Sequence, residues 1–177
     1  MAEEKLLLAI DGLPLVEYVI RAARASRLDE VILICRHEGV AQIGARHLIK
    51  IVHNDRAWEG QSAALKLGIE NAHRETAALM FLVGDQPFLT PMAINTLIDS
   101  WQENTGHIIV PLYKGQRGNP VIFPMRFRQA LLTLTGDSGG RIIIEKSGGR
   151  LKLVEIDDVR AGLDIDTKED YEIVTRK

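Results

Sequence analysis

Two uninterrupted apolar runs, Val31–Cys35 and Ala77–Val83, constrain this chain most. Each has the length of a strand buried on both faces, and helical patterns separate them. Leu15, Val16, Val19, Ile20 and Ala23 fall on one face of a helix predicted over Pro14–Ser26. Further helices are predicted over Gly39–His47 and Ser62–His73, with a short strand at Ile49–Val52. Thr90 is placed to cap the next helix, Pro91 to occupy its first position, and Ile94, Leu97, Ile98 and Trp101 to form its buried stripe.

The second half is less regular. His107–Leu112 and Pro120–Phe123 read as strands joined by the basic turn Lys114–Gly118. Short helices are expected over Phe127–Leu134 and Arg141–Lys146, and a half-exposed strand over Leu151–Ile156. Thr167 and Asp170 form a capping box for a last helix. Strands alternating with helices predict a three-layer α/β domain with a mostly parallel sheet. In such sheets ligands sit beyond the carboxyl ends of the strands, here after Val83, at Asn119 and around Asp164.

Composition narrows the class. The 177 residues are expected to form a single domain, 46% apolar and 26% charged, which excludes collagen and disorder. A net charge of −2 offers no global attraction to nucleic acid or an anionic membrane. The single cysteine, Cys35, excludes an internal disulfide framework and fits a reducing cytoplasm. Leu6–Ile10 is too short for a signal peptide or a span.

Several residues carry chemistry. Asp85, between an apolar strand and a proline turn, is placed to hold a hard cation or to cap the following turn. Asp164 and Asp166, two apart, share a face if extended; a cation would relieve their repulsion, and a solvated loop would also tolerate them. Lys5, Arg117 and Arg141 could meet phosphates, the last after a glycine pair. Gly60-Gln61-Ser62 at a helix start suits an anion or a base, or simple capping. The five histidines form no metal-spaced pair, and neither a GxSxG elbow nor a Walker lysine occurs.

In chain order these segments resemble the MobA-like nucleotidyltransferases, most closely the molybdenum cofactor cytidylyltransferases. The blocks are Lys5–Leu8 with Gly12–Leu15, Trp58–Ser62, Gly84–Pro87, Arg117–Phe123, Gly136–Arg141 and Leu163–Asp170. The resemblance implies a Rossmann-like nucleotidyltransferase fold and transfer of CMP from CTP to molybdopterin with release of pyrophosphate. It implies Mg²⁺ held by Asp85 with Asp164 or Asp166, and Lys5 at the leaving group. Nucleotide contacts would come from Gly60, Gln61, Ser62, Gly84 and Gln86. Acceptor contacts would come from Arg117, Asn119, Asp137 and Arg141. Guanylyl transfer from GTP, cytidylyl or uridylyl transfer to a sugar or polyol phosphate, and a binding role beside a molybdoenzyme or its chaperone are the other readings it allows.

The family opens with a strand and a glycine-rich loop of the form LAAGxSxRMGxxK, and Met1–Lys5 aligns with the end of that loop. The first strand and the glycines are therefore expected to be absent from these residues. Either Leu6–Ile10, or a strand from a partner chain, is then expected to fill the gap they leave in the sheet, or the chain is expected to be poorly soluble and to bind CTP weakly.

Overall fold

The computed structural model describes residues 5–175. The aligned residues 1–4 of the signature lie outside that range. The chain forms nine strands and seven α-helices among the described residues. Lys5–Leu8 is followed by a two-stranded hairpin, β1 (Ala9–Ile10) and β2 (Leu13–Pro14), around Asp11-Gly12. Both turn residues have positive φ, 47° and 81°, as a tight Asp-Gly hairpin turn demands. Helix α1 (Leu15–Arg24) follows directly, then β3 (Ile32–Cys35), α2 (Glu38–Arg46) and β4 (Lys50–His53). Next come α3 (Gln61–Asn71), β5 (Ala78–Phe81) and α4 (Pro91–Glu103), whose N-cap Thr90 accepts a bond from the Ala93 N–H.

The remaining strands are β6 (Ile108–Tyr113), β7 (Gln116–Arg117), β8 (Val121–Pro124) and β9 (Leu151–Glu155). Between and after them lie α5 (Arg128–Leu132), α6 (Arg141–Glu145) and α7 (Lys168–Thr175). No described helix is long and apolar enough to cross a membrane.

Pairing departs from the mostly parallel sheet expected. β8 runs antiparallel to both β5 and β6, and β7 antiparallel to β6; among the described residues only β3–β4 and β6–β9 are parallel. The tight turn between β6 and β7 dictates the first reversal, because a short link can join only antiparallel strands.

Alternation along β6 and β8 divides the core. Ile109 and Ile122 face α1 and α4 through Val19, Ile94 and Leu97. Ile108, Val110, Val121 and Phe123 face the other way, onto Ile69, Leu131 and Ile143. A third cluster packs Val16 and Ile20 of α1 against Cys35, Val40 and Ile43. Helix α1 thus contacts both the β3–β4 pair and the larger sheet.

Leu6–Ile10 does not enter the sheet. The Leu6 and Leu8 carbonyls accept the first amides of α1, from Val16 and Leu15 (3.2 and 2.9 Å), and Ala9–Ile10 is held in the hairpin. Those amides are the orphan donors of a helix start, so the segment is used as its cap. The β3–β4 pair and the five-stranded sheet remain separate among the described residues.

Glu17, 6% exposed, ties α1 to α2. It accepts from Arg21 (2.9 Å) and Arg46 (3.1 Å) and lies 3.0 Å from His47. Burial alone would raise its carboxyl, but His47 and the two arginines outweigh burial and hold it below the usual range. A depressed carboxylate contributes stability above its unfolded value, and that contribution is lost as pH falls through the lower folded one. Urea midpoints are therefore expected to fall from about pH 5 downward, and Glu17→Gln to flatten that acid limb.

Candidate active site

A cavity of about 1950 Å³ runs along β3 and β5, from the residues before them to those beyond their carboxyl ends. Lys5, Gln61, Gly84, Asp85, Arg117, Asn119, Arg141 and Asp166 all line it, brought from six separate parts of the chain. Gly60, Ser62, Gln86, Asp137 and Asp164 do not line it.

Lys5 organises the mouth. Its Nζ donates to Asp85 Oδ2 at 2.7 Å and to Asp166 Oδ1 at 2.8 Å. The lysine side chain is 13% exposed, Asp85 20% and Asp166 66%. Partial burial would lower the ammonium, but its bonds to the two carboxylates win and raise it. It therefore stays charged at any assay pH.

Each member is placed by local structure. Asp85 follows β5, and its carbonyl accepts from the Ile165 N–H (3.0 Å), which joins the two acidic segments. Ile165 is fully buried and anchors the residues on either side of it. Asp170 Oδ2 accepts from the amides of Asp166 and Thr167 (3.1 and 2.8 Å), and Thr167 caps α7 in return. Asp164 is pushed upward, first by burial and then by Asp85 and Asp166; Gln86 and Lys5 act against the shift. The three carboxylates are thus electrostatically coupled. Oδ1 of Asp85 is buried and lacks a hydrogen-bond partner.

That donor set fits a divalent cation in part. No group of three His, Cys, Asp or Glu among the described residues is arranged to hold a metal ion. Magnesium, however, is commonly held by one or two carboxylates together with substrate phosphates. Asp85 and Asp166, sharing one ammonium, supply the protein half of such a set.

The loop before α3 is braced from across the site. Gly60 adopts φ 87°, ψ −171°, and a Cβ there would lie 2.4 Å from the Gly136 carbonyl carbon. The Ser62 N–H donates to Gly136 O (3.0 Å), and the Gln61 N–H to Asp137 Oδ1 (3.3 Å). Ser62 is buried, leaving Gln61 as the member of this block that faces the cavity. Gln86 is 1% exposed; its amide nitrogen lies 3.4 Å from Gly162 O. Arg141 bonds Glu145 at 3.0 Å and is otherwise exposed. The Asn119 carbonyl accepts from the Tyr113 hydroxyl (2.7 Å), whose pKa is pushed up to about 12 by burial and by Asp164 and Asp158.

Arg36, His37 and Gln116 also line the cavity and were not singled out in the sequence. The first two follow β3, where the strand-end rule could have found them.

An α/β scaffold with lysine, carboxylates and a braced glycine loop at its strand ends is that of the α/β nucleotidyltransferases. The chain belongs to the MobA-like NTP transferase domain family, whose model matches residues 1–152. It is similar to the purine catabolism protein PucB of Bacillus subtilis (strain 168), with 28% identity over 99% of this chain and 90% of that protein. It is similar also to nicotine blue oxidoreductase of Paenarthrobacter nicotinovorans, with 27% identity over 93% and 84% of the two chains. The solved structure of Rv0371C from Mycobacterium tuberculosis H37Rv in complex with manganese superposes with a TM-score of 0.77, at 24% identity, over 97% of this chain and 90% of that one.

Proposed function

We propose that this nucleotidyltransferase transfers CMP from CTP to the terminal phosphate of molybdopterin, releasing pyrophosphate. The observation that carries the reading is the Lys5 ammonium held between Asp85 and Asp166 at the mouth of a cavity lined also by Gln61, Arg117 and Arg141. The Glu-Gly-Gln-Ser and Gly-Asp-Gln-Pro blocks favour cytidine over guanosine within the family.

The chemistry asks little of a general base, because the attacking phosphate is already an anion. It asks for relief of charge crowding where anions meet. Lys5 neutralises charge on the departing pyrophosphate. Asp85, with Asp166 or Asp164, would hold Mg²⁺, which supplies further neutralisation of the triphosphate when bound. Manganese in a structural relative supports a divalent cation here. Gln61, oriented by Asp137 through its backbone, faces the nucleotide; Arg117, Asn119 and Arg141 face the acceptor.

CTP with Mg²⁺ is expected to raise the thermal midpoint more than GTP does. At a hundredfold excess over the dissociation constant the gain is about 2.7 kcal/mol. Equal or greater protection by GTP moves the reading to guanylyl transfer.

A further inference from the structure

The carboxylate oxygens that a cation would use are already engaged. Asp85 Oδ2 and Asp166 Oδ1 both accept from the Lys5 ammonium, at 2.7 and 2.8 Å. Among the described residues no other basic side chain pairs with either carboxylate. The lysine side chain is 13% exposed, so little water shares its charge. Asp85 is nonetheless only half satisfied, because its Oδ1 is buried and has no partner.

Like charges repel more strongly in a partly buried site than in water. A divalent cation held by Asp85 and Asp166 would need the oxygens that the ammonium holds and would meet its charge. The two cannot share the carboxylates, so the ammonium must withdraw. Withdrawal leaves a charged group of low exposure in need of another anion. The phosphates of a nucleotide supply one. Lys5 itself lines the cavity, and its flexible four-carbon stem can re-aim the ammonium. The backbone beneath it is fixed: the Lys5 carbonyl accepts from the Leu8 N–H (3.0 Å), and the Leu6 carbonyl from the Val16 N–H (3.2 Å).

We propose that Lys5 is an internal counter-ion that keeps the cation site closed until a nucleotide arrives. Without nucleotide its ammonium stands in for the metal between Asp85 and Asp166. When phosphates enter, it moves to them and frees both carboxylates. Metal and nucleotide therefore bind with positive coupling, and divalent ions alone are held weakly. The inference rests on the reading of Asp85 and Asp166 as the cation's carboxylates, and it gives Lys5 a task before any transfer. A lysine that merely joined the two acidic segments would have the opposite effect: its removal would weaken metal binding.

The test titrates the full chain with Mn²⁺ in the absence of acceptor, with and without CTP. The free ion is followed by its paramagnetic resonance, and the ion bound by CTP in buffer is subtracted. The parent is compared with Lys5→Met, which keeps the stem but not the charge, and with Lys5→Arg, which keeps the charge. Without CTP, Lys5→Met is expected to bind Mn²⁺ at least about tenfold more tightly than the parent, a common scale for coupled sites, and Lys5→Arg no more tightly. The factor by which CTP tightens Mn²⁺ should fall by about the same amount in Lys5→Met, and linkage requires Mn²⁺ to tighten CTP by that same reduced factor. A thermal midpoint shows that each form is folded; Lys5→Gln takes the place of Lys5→Met if that variant is not. Equal or weaker Mn²⁺ binding by the neutral variant overturns the proposal, while CTP-dependent Mn²⁺ binding by the parent leaves the carboxylate reading in place. Parent binding as tight without CTP as with it also overturns it, as does equal tightening by Lys5→Arg. Failure of every form to bind Mn²⁺, with CTP or without, overturns the proposal together with the reading on which it rests.

Discussion

Replacing Asp85 by asparagine is expected to cut nucleotidyl transfer at least about a hundredfold while the chain stays folded, the scale seen when one preorganised electrostatic group is removed from a site. The substitution is nearly isosteric but removes a negative charge. Lys5 keeps its bond to Asp166 (2.8 Å), so the lysine is not released into solvent. Asp164, pushed upward partly by Asp85, loses that repulsion, so no stability penalty arises from it. What disappears is one of the two carboxylates that share the Lys5 ammonium and would hold a cation against the phosphates. Steady-state pyrophosphate release with CTP and Mg²⁺, beside a thermal midpoint for each form, separates the two effects. Transfer at the parent rate by Asp85→Asn would remove this carboxylate from the chemistry.

Gly60→Ala is expected to be the most damaging single-methyl change in the site. The φ 87°, ψ −171° conformation is essentially reserved for glycine, and holding another residue there costs about 1–3 kcal/mol. The added carbon would also lie 2.4 Å from the Gly136 carbonyl carbon and 2.6 Å from Asp137 Oδ1. The nearest atoms are backbone, which cannot swing aside as a side chain would, so about 1–3 kcal/mol of overpacking adds to the strain. At about 2–4 °C per kcal/mol for a chain of this size, the midpoint should fall by roughly 10 °C. The Gln61 and Ser62 amides would lose Asp137 and Gly136, so the apparent KM for CTP should rise as well. Gly136→Ala is the control. It also has positive φ (61°) but meets nothing within 4 Å, so only backbone strain is paid. Equal midpoints for the two variants would show that the contact with Gly136 and Asp137 does not hold the loop before α3.

Strong local signals made much of this architecture legible in the sequence. Thr90 and Pro91 announce α4, and the apolar run before Asp85 announces β5, because capping and burial act within a few residues. The reversal at the turn after β6 was legible in its short link, but the antiparallel pairing of β8 with β5 was not, since an apolar run does not state its direction. Leu6–Ile10 misled for a related reason: a short apolar run fits a strand or a helix-capping turn equally. The Asp11-Gly12 dipeptide beside it was the stronger signal, and its two positive φ values fix the hairpin. In the site, Asp85 and Asp166 were visible as residue types, but their joint hold on Lys5 depends on contacts 80 and 161 residues apart in sequence. The brace between Asp137 and Gln61, 76 residues apart, has no local signature either. Asp137, expected at the acceptor, stands behind the Gln61 loop and outside the cavity lining.

The most direct test of the central claim follows the α-phosphate. CTP labelled at that phosphorus is incubated with the protein, Mg²⁺ and molybdopterin, and the products are separated by charge. The account predicts that label moves onto the pterin with one pyrophosphate released per transfer, and that GTP labelled in the same way is a poorer donor. Label that stays in CTP, although CTP and Mg²⁺ protect the protein thermally, would contradict it and leave a nucleotide-binding protein without this transfer.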